Sequence, residues 1–391
     1  MRILITKHQK KYLLTLYILL FSATLFMLWW LWVAGPQTVW KIITSDDSSI
    51  TDFSLFPTRR LTSSATPYHF TVDDDTVLPK NFGVNGVGDQ SLESFLQESK
   101  TVAFLIIRND TILMERYFQD HDETTQSLSF SMSKSFLSIL IGMAIEDGHI
   151  SSIDVPVTNF VPELADAGFD NVTIKHLLQM TSGMDYVETE GNPFSRHDRF
   201  YYTNRLEHEL LKLDLAGKPG ERFAYKSGEN ALLGLVLSRA LAPQTITAYT
   251  QDKLWEPLGM EFDGSWNLDS PDGLEKTWCC LSATARDYAK LGRLYLNQGN
   301  WNGDQLVSTE WVTQSTKIDM SDGSARNYQY QWWLVSEDGG DFTAMGHLGQ
   351  FVYVNPSADV IIVRLGNSRG GLEWDQWLTI LADLTRAIEA P

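Results

Sequence analysis

"FSMSKSFLSILIGMAIEDGHI", residues 130–150, decides the reading of this chain. Apolar side chains fill nearly the whole helical wheel rather than one stripe, as in a helix buried on all sides. Lys134 nevertheless follows Ser131 by one turn. Burying an ammonium is costly, so this lysine must be neutral, paired or useful. A serine hydroxyl is a poor nucleophile until a base takes its proton. Positions i and i+3 share a helix face, so the spacing lets Lys134 reach the Ser131 oxygen. Phe136, Leu137, Ile139, Leu140 and Ile141 supply dry surroundings, which depress the lysine pKa and leave a neutral amine able to act as base. The helix is expected from about Ser131 to a C-terminal cap at Gly148. At its start, the Ser131 backbone N–H points toward a developing oxyanion. Ser-x-x-Lys alone is a weak signal, since it arises by chance about once in a chain of this length. A lysine head turned outward is the competing reading.

Two further elements bear on that choice. "FAYKSGENALLGLVL" places Tyr225 and Ser227 just before an apolar helix. A phenol beside a lysine ammonium loses its proton more readily and relays it to a leaving group, while a serine hydroxyl bonds a substrate carbonyl or amide. Ordinary helix-capping chemistry uses the same residue types. "GHLGQFVYVNP" puts His347 and Gly349 directly before a strand, where the Gln350 backbone N–H is available to complete an oxyanion hole. A single histidine there also suits a structural, hydrogen-bonded role.

Taken in order, Ser131-x-x-Lys134, Tyr225-x-Ser227 and His347-x-Gly349 resemble the serine β-lactamase-like superfamily. The likeness is greatest to class C β-lactamases and to the related esterases and amide hydrolases, including the 6-aminohexanoate-dimer hydrolases. "IKHLLQMTSGMDY", "LSATARDYAKLGRLYLNQGNW" and "YQWW" extend it over roughly residues 85–391. The resemblance implies Ser131 as the acylated nucleophile, Lys134 as its proton acceptor and Tyr225 as the acid/base that protonates the leaving group. It implies an oxyanion hole from the Ser131 and Gln350 backbone amides, with Ser227, His347 and Gly349 facing substrate. An acyl-enzyme cleaved by water, needing no metal or organic cofactor, is the implied cycle. Histidine stands at 347 where penicillin-binding enzymes carry lysine, which weakens the fixed charge that meets a β-lactam carboxylate. Ester or small-amide hydrolysis is therefore expected ahead of β-lactam cleavage. In "SGMDYVETEGNPFSRHDRFYY", Tyr186 and Asp198 are candidate substrate contacts, and Glu190 falls where nylon-oligomer hydrolases carry a substrate-closing tyrosine. A penicillin-binding-like sensor or binding protein on the same fold, acylated slowly or not at all, is the alternative.

The rest of the chain frames this site. The net charge of −18 over 391 residues opposes nucleic-acid binding. The acids lie in the body, because residues 1–11 carry Arg2, Lys7, Lys10 and Lys11 and no acid, which reads as a cytoplasmic tail. Residues 12–34 are uncharged and long enough to span a bilayer, with Trp29, Trp30 and Trp32 toward the far end as an interfacial belt. A membrane anchor with the body outside the cytoplasm is expected, periplasmic in a Gram-negative cell; secretion after cleavage is the alternative. Residues 35–81 read as a linker and 82–391 as the hydrolase domain, starting near Phe82. A hairpin is expected in "TVAFLIIRNDTILMERYF", turning at Asn109-Asp110. Helices then dominate to about residue 325. Strands follow in "YQYQWWLVS", "FTAMG", "QFVYVNP" and "DVIIVRLG", and a last helix in "WDQWLTILADLTRAIEA". Strands at both ends with helices between predict an α+β fold: an antiparallel sheet completed by the two ends of the body, flanked by helices, with a helical insertion. Adjacent Cys279 and Cys280 are expected as small buried hydrophobes rather than a bridge. His208 lacks the second histidine of a zinc-protease motif, since Lys212 takes its place, and no Gly-x-Ser-x-Gly elbow occurs. No obligate protein partner is evident in the sequence.

Overall fold

A computed structural model describes residues 7–45, 48–73, 90–189, 192 and 194–389. The chain divides into two compact units: Met1–Asp47 with Thr189–Asn204, and Ser48–Glu188 with Arg205–Pro391.

In the smaller unit the uncharged run forms a helix over Lys7–Ala34. Gly35, at φ 87°, breaks it, and Pro36 opens a second helix, Pro36–Thr44, at a position where its missing N–H costs nothing. Trp30, Ala34 and Val39 are buried together, and Phe194 packs on the rings of Phe26 and Trp30 at 5.2 and 4.8 Å. Residues 8–34 are long and apolar enough to cross a membrane and lie almost wholly exposed. The third helix, Arg196–Tyr202, begins at a Ser195 cap.

The larger unit is built on a sheet whose described strands run in the order 328–329, 332–334, 342–346, 350–355, 360–366, 101–108, 111–117, 71–72. All neighbours are antiparallel except the last pair. The two ends of the body meet where Val360 pairs with Arg108, as the strand–helix–strand pattern predicts. Asn109 and Asp110 both adopt left-handed φ, 50° and 57°, which suits a tight hairpin whose twist matches its strands. Helices Leu92–Glu98 and Trp374–Glu389 cover one face through Phe95, Trp377 and Leu381 against Phe104, Ile362 and Phe351. Helix Ala285–Leu296 covers the other; a Cβ on its Gly292 would meet Ile361 at 2.8 Å, so glycine allows the helix to lie close to the sheet. The fold is the α+β architecture expected.

Two expectations are corrected. Residues 35–81 are not a featureless linker. Thr58–Leu61 pairs with Gly264–Asn267 in a second, four-stranded sheet, and Thr71–Val72 joins the edge of the large one. Strands this short, set among turn residues, leave no period to read. The expected start near Phe82 lies outside the described residues. Cys279 and Cys280 form a disulfide rather than two free thiols. Both side chains are buried, which accounts for the apolar reading, but their sulfur atoms are joined.

Candidate active site

Ser131 lies in a 3-10 turn, Phe130–Met132, and the α-helix proper runs Ser133–Glu146, two residues later than expected. Phe130 takes φ 45°, so the chain turns sharply into Ser131. From the first turn of the buried helix, Lys134 Nζ comes within 2.8 Å of Ser131 Oγ. It also lies 3.1 Å from Ser227 Oγ and 2.9 Å from the Trp278 carbonyl oxygen. The side chain is 1 % exposed, and burial pushes its pKa down to about 8, with the Glu188 charge acting in the opposite direction.

These contacts constrain the protons. The Trp278 carbonyl only accepts. Ser227 Oγ donates to Glu188 Oε1 at 2.6 Å, so toward Lys134 it must accept. A neutral amine has two N–H bonds and one lone pair. When the amine is neutral and its two N–H groups meet Trp278 and Ser227, its lone pair is left for the Ser131 hydroxyl; as an ammonium it donates to all three oxygens. Only the neutral form can act as a general base.

Helix Ser227–Leu241 brings Ser227 into this cluster. Its first-turn N–H would otherwise lack a partner; Glu188 Oε2 accepts it at 2.6 Å, a carboxylate at a positive helix end. Tyr225, just before that helix, presents its ring 5.2 Å from Lys134 Nζ. Tyr328 and Trp333 pack on that ring at 5.8 and 5.5 Å and fix its plane. Lys226, by contrast, turns its ammonium to the Met184 carbonyl at 2.5 Å, so the amine over the tyrosine is Lys134.

The third element abuts the first. A Cβ on Gly346 would lie 2.2 Å from the Ser129 carbonyl and 3.2 Å from the Met132 nitrogen. Strand Phe342–Gly346 therefore runs directly against the Ser131 turn. His347 follows in the short turn His347–Gly349, its ring edge-on to Phe130 at 5.3 Å. Leu348 and Gly349 both take left-handed φ, 64° and 82°, which reverses the chain before strand Gln350–Asn355. The Gln350 side chain staples this reversal, donating to the His347 and Gly366 carbonyls at 3.1 and 2.7 Å.

The structure thus gathers Ser131, Lys134, Tyr225 and Ser227, with the His347–Gly349 turn against the serine. Tyr186 is buried against the start of the Ser227 helix, where a Cβ on Gly228 would meet its ring at 2.7 Å. Asp198 belongs to the smaller unit, on helix Arg196–Tyr202. Glu190 lies outside the described residues. Sequence reasoning missed Glu188 and the Trp278 carbonyl. The only sequence signal for Glu188 is an acid-rich loop that also holds Glu190; a backbone carbonyl leaves no trace in sequence. Among the described residues no cluster of metal-binding side chains occurs.

Comparison with known proteins gives the family. The Beta-lactamase family model matches residues 89–384. The 6-aminohexanoate-dimer hydrolase of Paenarthrobacter ureafaciens is 30% identical over 323 residues, 76% of this chain and 81% of its own. Among solved structures, a Bacillus anthracis protein provisionally named a 6-aminohexanoate-dimer hydrolase superposes with a TM-score of 0.73. It is 21% identical and covers 90% of this chain and 94% of its own. A family VIII carboxylesterase superposes with a TM-score of 0.58 at 15% identity, covering 75% of this chain and 95% of its own.

Proposed function

Because this chain belongs to the beta-lactamase family and is one of its serine hydrolases, we propose that it cleaves an ester or small amide through an acyl-enzyme on Ser131. Neutral Lys134 takes the Ser131 proton as Oγ attacks the substrate carbonyl. The negative oxygen is held by the Ser131 and Gln350 N–H groups. The proton passes through Tyr225 to the departing alcohol or amine as its bond to the carbonyl carbon breaks. Water then attacks the ester, giving up a proton to the same pair, and Ser131 is released protonated with the free acid. Ser227, held by Glu188, lines the substrate side. An imidazole at 347 in place of an ammonium favours substrates without a carboxylate at that point.

The observation that carries this reading is the set of three contacts around the buried Lys134 Nζ, one of them to Ser131 Oγ, which in the neutral amine leave the lone pair for Ser131. The relatives' printed activities, on 6-aminohexanoate dimers and carboxylic esters, support acyl transfer but do not fix the substrate here. We also propose that residues 12–34 anchor the protein in a membrane with the hydrolase outside the cytoplasm. The exposed aromatics Trp29 and Trp32 near the end of the apolar run, and Trp40 beyond it, suit a membrane interface.

Turnover of chromogenic esters and anilides by the full chain in detergent, set against Ser131→Ala, tests the reaction. Loss of all turnover is expected, with wild-type protein trapping one acyl group per chain during the cycle. Equal rates would remove Ser131 as nucleophile. Stoichiometric acylation without turnover would instead favour a sensor.

A further inference from the structure

Behind the His347–Gly349 turn lies a buried guanidinium. Arg364, on strand Val360–Gly366, is 0 % exposed and is perturbed by burial alone, with no carboxylate opposing it among the described residues. Its five N–H groups all meet neutral oxygens. Nε donates to Thr101 Oγ1 at 3.0 Å. Nη1 donates to the carbonyls of Gly349 and Leu348 at 2.6 and 3.3 Å. Nη2 donates to those of Ser99 and Ser368, both at 2.8 Å. The Trp377 ring covers the guanidinium carbon at 4.0 Å. The chain makes room for this group, since a Cβ on Gly349 or Gly366 would lie 2.3 or 2.5 Å from Nη1. A buried charge without a counterion is costly, and an apolar side chain would fill the strand position without that cost.

The Gly349 carbonyl and the Gln350 N–H are two ends of one peptide group. We propose that Arg364 is a positioning residue of the oxyanion hole: by donating to the Gly349 carbonyl it orients the Gly349–Gln350 peptide and strengthens its N–H toward the substrate oxygen. This rests on the reading above that the Gln350 N–H faces that oxygen. A charge-assisted bond at the carbonyl end draws electrons through the amide and makes the other end a better donor. The counter-charge that the guanidinium lacks at rest arises on the substrate oxygen in the transition state. A preorganised positive group in a dry site stabilises the transition state more than the ground state.

The test is isotope-edited infrared spectroscopy of the acyl-enzyme made from a p-nitrophenyl ester labelled with 13C at its carbonyl. In wild-type protein the ester stretch should fall below that of the same ester in water. Arg364→Gln, which keeps amide donors but loses the charge, should raise the stretch toward the free-ester value. Its kcat should drop about 10–100-fold, with KM within about twofold of wild type. Arg364→Lys should lie between the two. An unshifted wild-type carbonyl would sink the oxyanion reading of Gln350 and this proposal together. A shifted wild-type carbonyl left unmoved by Arg364→Gln overturns this proposal alone, whatever happens to thermal stability. Should Arg364→Gln not fold, Trp377→Leu, which admits water to the guanidinium, must move the stretch in the same direction by a smaller amount; no movement there also overturns it.

Discussion

Two lysines in this protein are equally hidden from solvent, and their surroundings differ in kind. Lys290, on helix Ala285–Leu296, is 0 % exposed and sits 2.9 Å from Asp287 and 3.2 Å from Glu261. Lys134 is 1 % exposed and touches only hydroxyl and carbonyl oxygens, with Glu188 one hydrogen bond further off. Carboxylates in contact make Lys290 a structural cross-link. Neutral oxygens solvate the amine well enough to keep it in place while burial makes its proton easy to lose. Burial alone therefore does not distinguish the two lysines; their partners do.

Substitution can break this contrast in both directions. The largest effect is expected from Lys134→Met, which leaves Ser131 without a base and should lower kcat/KM about 10⁴-fold, read with an activated ester, with little change in Tm. Lys290→Met should do the reverse. It removes the buried cation between Asp287 and Glu261, costing about 3–5 kcal/mol of stability by denaturant unfolding, while protein that remains folded keeps the wild-type pH–rate profile. Tyr225→Phe should lower turnover about 100-fold, and more on anilides than on activated esters, because only a poor leaving group needs the phenol's proton. The smallest and most diagnostic change is Glu188→Gln. Glu188 opposes the fall in the Lys134 pKa, so removing its charge should lower that pKa further and move the rise in rate to lower pH. The accompanying loss of the strong bond to Ser227 should cost about tenfold in rate.

The same contrast explains how far the sequence could be read. The hairpin at Asn109-Asp110, the strands from Tyr328 onward and the Ser133–Glu146 helix were legible because their patterns are long, apolar and local. Ser131 and Lys134 could be paired from spacing, since one helical turn sets their separation. Tyr225, Ser227 and the His347 turn were assembled only by their resemblance to a known family; no local rule brings segments roughly a hundred residues apart together. What was missed depends on geometry without a period. Glu188 earns its place by reaching a helix start across a loop, and strand Thr58–Leu61 is too short to alternate visibly. Cys279 and Cys280 are buried as their apolar character suggested, yet joined. Arg364 reads in sequence as a charged residue in a strand and gains meaning only from the glycines that clear space around it.

The claim on which the mechanism depends is that the Lys134 amine is neutral when Ser131 attacks. The pre-steady-state rate of Ser131 acylation by an activated ester, followed from pH 6 to pH 10, tests it most directly. The lysine is a base only when deprotonated, so the rate should climb tenfold per pH unit and level off with a midpoint near the depressed value of about 8. In Glu188→Gln the midpoint should lie lower. A rate that stays flat across that range, or a Lys134→Met protein that keeps the wild-type profile, would contradict the account.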